Sequence, residues 1–286
     1  DSEEEEWAQK YGLTPIPLRT GERIFFGLAG RSSTGAELAI PVFDTALNVS
    51  QQQFLEYQIS KLVSALGVDK KPVIGVLSAL DLRGAPQNPY QQQGPQQWFF
   101  LQQLSEQADV RFIDSKVSQI ENTVDVLMVV HPKQLADATL YAIDQFVMRG
   151  GKLLLLEDPF CEADRPKQDE NNPGALPNED RSSNLNRLTK SWGVELEEKR
   201  VVGDRKLATP VNTGDNSAKN FILWLQLQRP NVASDDVVTS GLENVILPWA
   251  GSLKLSPVEG VTQTVLMKST PEAMLLKDDP SLYTQD

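Results

Sequence analysis

Between Lys71 and Leu156, short and almost uninterrupted apolar runs alternate with stretches whose apolar residues return every three or four positions. The runs cover residues 72–77, 110–113, 124–130 and 152–156. The helical stretches cover 97–107 and 135–148, the second closed by Gly150-Gly151 with Arg149 in its last turn. A strand that is apolar at successive positions is buried on both faces, so this pattern predicts a mostly parallel sheet covered by helices on either side. Right-handed crossovers between such strands make a doubly wound, flavodoxin-like α/β sheet the expected architecture.

The flanks read differently. Residues 3–11 predict a short polar helix stopped by Gly12 and Pro15. Two β-type runs, 23–29 and 37–43, are joined by the polar, glycine-containing stretch 30–35 and predict a hairpin. Phe54, Leu55, Ile59, Leu62, Val63 and Leu66 then fall at helical spacing behind Ser50, an N-cap residue. Residues 1–66 are therefore expected as a hairpin and helix element closing a preceding lobe, and 67–286 as the α/β domain. Two stretches interrupt that domain: 79–97, rich in Gln, Pro and Gly, and 160–180, polar and acidic, expected as a mobile loop. Beyond them Leu185, Leu188 and Trp192 predict a helix ending at Gly193, and short strands are expected at 199–202, 221–225, 245–247 and 262–267.

Composition narrows the function. The 286 residues carry 27 basic and 39 acidic side chains, a formal net charge of −12. Phosphate neutralisation needs a basic surface, so the balance argues against nucleic acid, and equally against docking on anionic lipid through a basic patch. The longest apolar stretches are too short to cross a bilayer. The chain opens Asp1-Ser2-Glu3-Glu4-Glu5-Glu6 instead of with a signal peptide, so the protein is either cytosolic or a soluble piece of a longer one. The abrupt acidic start favours the piece. Cys161 is the one cysteine and His131 the one histidine. No internal disulfide can form, and zinc would have to draw on these two and on carboxylates, with no CxxC or HxxxH spacing to gather them. No GxGxxG follows a strand and no GxxxxGK[ST] occurs. Neither a metal nor a cofactor is expected.

Ligands of such sheets bind beyond the carboxyl ends of the strands, where the strand order reverses. Ser78, Asp81 and Arg83 after the first strand, His131 after the third and Asp158 after the fourth would line that crevice, and are the candidate ligand-binding residues. Helix N-termini near Gln97 and Leu135 would open there too, and Arg83 suits an acidic glycan or a carboxylate. As catalytic machinery the set is thin. Ser78 lacks the glycines of a nucleophile elbow, and His131-Pro132 suits a strand-to-helix turn as well as it suits acid–base work. Cys161, in Glu157-Asp158-Pro159-Phe160-Cys161, would need a base to form its thiolate. Five tryptophans and the glutamine-rich 91–97 permit a sugar-binding reading. Against it, Trp98, Trp192 and Trp224 lie in apolar periodic segments and are expected in the core.

Several stretches carry a family resemblance. They are Phe25-Phe26-Gly27-Leu28 with the hairpin to Ile40-Pro41-Val42-Phe43, then Phe54-Leu55-Glu56-Tyr57-Gln58-Ile59, and Lys71-Pro72-Val73-Ile74-Gly75-Val76-Leu77-Ser78. Further on come Leu140-Tyr141-Ala142-Ile143-Asp144-Gln145-Phe146-Val147-Met148-Arg149-Gly150-Gly151-Lys152-Leu153, Leu156-Glu157-Asp158-Pro159 and Leu247-Pro248-Trp249-Ala250-Gly251-Ser252-Leu253. In this order they resemble the extracytoplasmic domain of gliding-motility-associated ABC-transporter auxiliary proteins. The resemblance implies a sheet similar to class I glutamine amidotransferases, without the catalytic apparatus. Where those enzymes place a nucleophilic cysteine after the third strand, this chain has His131-Pro132. The stretch 79–97 departs from the pattern as a long insertion. The resemblance further implies a periplasmic location, membrane-spanning segments outside this sequence, the membrane subunits of an ABC transporter as partners, and polysaccharide as a ligand class. A non-catalytic auxiliary or substrate-binding component is therefore expected. The alternatives are a degenerate amidotransferase-like hydrolase using Cys161 or Ser78 with His131, and a purely structural periplasmic scaffold.

Overall fold

A computed structural model of the chain describes residues 3–43, 49–67, 70–84, 97–164, 180–212 and 218–277. The chain divides into two compact units, Asp1–Pro72 with Glu106–Asp109, and Val73–Ser105 with Val110–Asp286.

In the first unit, helix α1 (Glu3–Lys10) carries four glutamates in its first turn and Lys10 in its last, each sign at the end where the helix dipole favours it. Strands β1 (Pro15–Pro17) and β2 (Arg23–Phe25) pair antiparallel, as do β3 (Leu28–Arg31) and β4 (Glu37–Ile40). The run expected as one strand over 23–29 is thus two. It breaks at Phe26-Gly27, where a Cβ on Gly27 would stand 2.5 Å from the carbonyl oxygen of Ile40. Helix α2 (Val49–Leu66) completes the unit.

The next elements are β5 (Val73–Ser78), α3 (Phe99–Gln107), β6 (Asp109–Phe112), β7 (Val126–Val130), α4 (Asp137–Met148) and β8 (Lys152–Leu156). The four strands form a parallel sheet in the order β6-β5-β7-β8. β5 and β7 are buried on both faces, as their continuous apolar runs require. On one face α4 lays Leu140, Ile143 and Phe146, spaced three apart, against Val73, Leu77, Leu127 and Val129. β8 departs from the expectation of two covered faces. It is the outer strand, its burial alternates, and Leu154 and Leu156 are 44% and 45% exposed.

After β8 the architecture changes. Helix α5 (Asn186–Thr189) and a 3-10 turn over Lys190–Trp192 end at Gly193, whose φ of 78° permits the reversal. Strands β9 (Val194–Leu196), β10 (Arg200–Gly203), β11 (Ala208–Asn212), β12 (Ala218–Leu227), β13 (Val245–Pro248), β14 (Leu253–Leu255) and β15 (Met274–Lys277) follow. They pair only antiparallel, β9 with β14, β10 with β15, and β11-β12-β13 as a three-stranded sheet. The protein is accordingly mixed α/β, one parallel sheet followed by small antiparallel ones. The reason is connection length: a parallel neighbour needs a crossover, usually helical, and no helix is formed among the described residues after Trp192. Residues 262–267, expected as a strand, contain only an isolated bridge from Met267 to Val232. Thr262, Gln263 and Thr264 give that run no apolar face, and the Gln263 amide instead donates to the carbonyls of Gly193 and Ser256. Of the expected loops, residues 85–96 and 165–179 lie outside the described residues. Among the described residues no helix is long and apolar enough to cross a membrane.

Candidate functional site

The register that pairs Val130 with Leu156 brings the carboxyl ends of β7 and β8 level. His131 is the next residue on one strand and Asp158 lies two beyond the other. The backbone N–H of His131 still bonds the Leu156 carbonyl at 2.8 Å, and the chain then turns with φ 49° at His131, a left-handed conformation that histidine adopts more readily than most residues. The imidazole is fully buried. Its Nε2 lies 3.1 Å from Asp164 Oδ2, and its Nδ1 lies 4.0 Å from Asp158 Oδ2. Lys133 donates to the same Asp164 oxygen and, at 2.6 Å, to the Asp180 carbonyl.

Cys161 closes the cluster. Two backbone bonds tie residues 158–161 to the segment 181–183: Cys161 N–H to Arg181 O at 2.9 Å and Ser183 N–H to Asp158 O at 2.7 Å. They carry the thiol to where His131, Asp158 and Cys161 each present a ligand-type atom within 4.8 Å of the others. Burial pushes the Asp158 carboxyl above its usual range, against the pull of His131 and of a hydrogen bond from Cys161. Burial also raises the Cys161 thiol, and the charge of Asp158 raises it further. At Asp164 burial works upward too, but the bonds from Lys133 and His131 outweigh it and hold the carboxyl below the usual value.

Of the other three candidate residues, Ser78 lies level with Val130, next to the cluster, and none of the three has a side-chain bond to it among the described residues. Ser78 ends β5 and its Oγ accepts the Leu80 N–H at 3.0 Å. Asp81 is exposed, its carbonyl accepting the Gly84 N–H. Arg83 lays its guanidinium 4.1 Å from the centre of the Phe112 ring, on β6, which flanks β5 on the side away from β7. The structure therefore brings His131 and Asp158 together, adds Cys161, Asp164 and Lys133, and turns Arg83 toward β6.

A groove of about 500 Å³ lies elsewhere in the same unit, lined by Phe160, Glu162, Arg181, Phe221, Trp224 and Trp249. Trp249, just past β13, is buried, with its ring 4.9 Å from Phe160 and 5.7 Å from Phe221. Phe221 and Trp224 meet edge to face at 6.0 Å, and the Arg181 guanidinium stands 5.4 Å from the Phe160 ring. Trp224 is half-buried here, Trp192 packs beside the main core, and Trp98, expected in the core, is 38% exposed. Sequence reasoning missed the groove because its aromatics come from the 160–162 turn, β12 and the end of β13. Their only shared signal is aromatic character.

A family model described as an ABC-type uncharacterized transport system matches residues 71–285, which include both the buried cluster and the groove. The chain belongs to this family. Membership makes it an auxiliary component of an ABC-type transport system. No match was found among curated proteins or among solved structures.

Proposed function

We propose that this chain is the extracytoplasmic, non-catalytic ligand-binding part of its transport system, of the gliding-motility kind. In this reading it lies in the periplasm, is anchored through membrane segments outside the sequence, and works beside the membrane subunits of the transporter. The order β6-β5-β7-β8 matches the first four strands of a flavodoxin-like sheet, which supports that fold.

The observation that carries the binding reading is the aromatic groove. Trp224, Phe160 and Phe221, seated on the buried Trp249, offer flat apolar faces of the kind that stack on pyranose rings. Arg181 and Glu162 stand at its border as donor and acceptor for hydroxyl or carboxylate groups. A glycan is the ligand class that uses both. The non-catalytic part is supported by the thiol and the hydroxyl that an enzyme would need. Cys161 is buried with its pKa raised, and Ser78 Oγ is engaged by the Leu80 N–H.

Tryptophan emission titrated with neutral and uronic-acid oligosaccharides tests this reading. Saturable change in the wild type, weakened at least tenfold in Trp224→Ala, is expected. If no oligosaccharide saturates, the glycan reading fails and the structural scaffold takes its place. If any is cleaved, the non-catalytic reading fails.

A further inference from the structure

We infer that His131, Asp158 and Cys161 bind one zinc-class divalent cation. The chain has one histidine and one cysteine in 286 residues, and the fold sets them in the same cluster with a carboxylate. The decisive atom is His131 Nδ1. With Nε2 against the Asp164 carboxylate, the single ring hydrogen of a neutral imidazole belongs on Nε2, and in that form Nδ1 carries a bare lone pair. That lone pair is fully buried and has no hydrogen-bond partner among the described residues. It faces Asp158 Oδ2 at 4.0 Å, beyond hydrogen-bond range, and the Cys161 thiol beside it bonds Asp158 and leaves this nitrogen unpartnered. A cation supplies what is missing.

The donor set selects the ion. One imidazole nitrogen, one carboxylate oxygen and one sulfur suit zinc and its borderline-soft neighbours, whereas magnesium and calcium take oxygen. Ligands around a tetrahedral zinc at about 2.0–2.3 Å stand about 3.3–3.8 Å apart, so atoms now within 4.8 Å need close by at most about 1.5 Å. Binding replaces the Cys161 S–H bond by an S–metal bond and releases that proton to solvent. One thiolate and one carboxylate then balance the two positive charges. Asp164, itself held by Lys133, orients the imidazole from behind, as the outer carboxylate does at many metal-bound histidines. The Asp158 side chain is 41% exposed, which leaves a route for the ion and a fourth position for water.

The sole cysteine makes the test specific. Titration of the chelator-treated chain with cobalt(II) should give a sulfur-to-cobalt charge-transfer band at one ion per chain. Zinc should displace the cobalt and abolish the band, and bound zinc should slow alkylation of Cys161. Cys161→Ser should remove the band, and Asp158→Asn, on a partly exposed side chain, should weaken binding at least tenfold in a protein shown by circular dichroism to be folded. His131→Gln should do the same where it folds; Asp158→Asn decides where it does not. A folded wild type that shows no such band overturns the site. Cobalt affinity unchanged in Cys161→Ser or in Asp158→Asn also overturns it.

Discussion

Trp249 donates its indole N–H to the Glu162 carboxylate at 2.5 Å, joining positions 87 residues apart. The bond fastens the turn after β8 to the end of β13, and it does so beneath the aromatic groove. Trp249 is also the ring that both Phe160 and Phe221 touch. Replacing it by alanine should cost about 3–5 kcal/mol through the lost burial and the cavity left behind. Trp249→Phe keeps a ring in place and gives up the N–H bond to an exposed carboxylate, so about 1 kcal/mol is expected. Denaturant unfolding of both variants separates the two contributions, and equal losses would show that the hydrogen bond dominates.

Gly75 sits at the centre of β5, and a Cβ there would lie 2.4 Å from Ile113 Cδ1 and 3.1 Å from Val124 Cγ1. Gly75→Ala should therefore destabilise by about 1–3 kcal/mol through overpacking. Ile113→Val removes the methyl that is met first, so the double variant should recover part of the loss. A double-mutant cycle on unfolding free energies measures that coupling, and strict additivity would contradict the contact. Leu127→Ala, at a fully buried site on β7, should cost about 2–5 kcal/mol with no such rescue.

Asp204 is buried and accepts backbone N–H groups, among them those of Lys206 at 2.9 Å and Thr270 at 2.8 Å. Burial pushes its carboxyl upward, but the hydrogen bonds from Thr270 and Lys206 prevail and hold it below the usual aspartate range. A carboxyl depressed in the folded state stabilises the protein above its unfolded pKa, about 3.9. That contribution is lost as pH falls through the lower folded value. Asp204→Asn should be less stable at neutral pH by about 1–3 kcal/mol, because an amide NH₂ must face one of these donors. The gap to the wild type should close in acid. A gap independent of pH would place the effect in packing.

The parallel sheet was legible because its signal is local. β5, β6, β7 and β8 each show in a handful of consecutive residues, and Lys152–Leu156 matches its apolar run end to end. β14 had no such signal. Leu253, Lys254 and Leu255 are all exposed, and the strand exists through pairing with Val194–Leu196, more than fifty residues earlier. Pro15 and Pro17 likewise argue against a strand, yet β1 holds both at the edge of a two-stranded ladder. At the site, strand topology places His131 beside Asp158. The approach of Cys161 is set by the backbone of Arg181 and Ser183, on the far side of a long connection, and no local pattern carries that.

The sheet's connectivity also sets an order in time. β7 meets β8 across a single helix, whereas β5 meets β7 only after α3 and β6 have been passed over. Closing the shorter loop costs less chain entropy, so the β7-α4-β8 unit should assemble before β5 inserts between β6 and β7. Ile143→Val on α4 should then slow refolding and leave the unfolding rate nearly unchanged. Val76→Ala on β5 should chiefly speed unfolding. Stopped-flow measurements that find the reverse would mean that the centre of the sheet, and not its outer helical crossover, starts the fold.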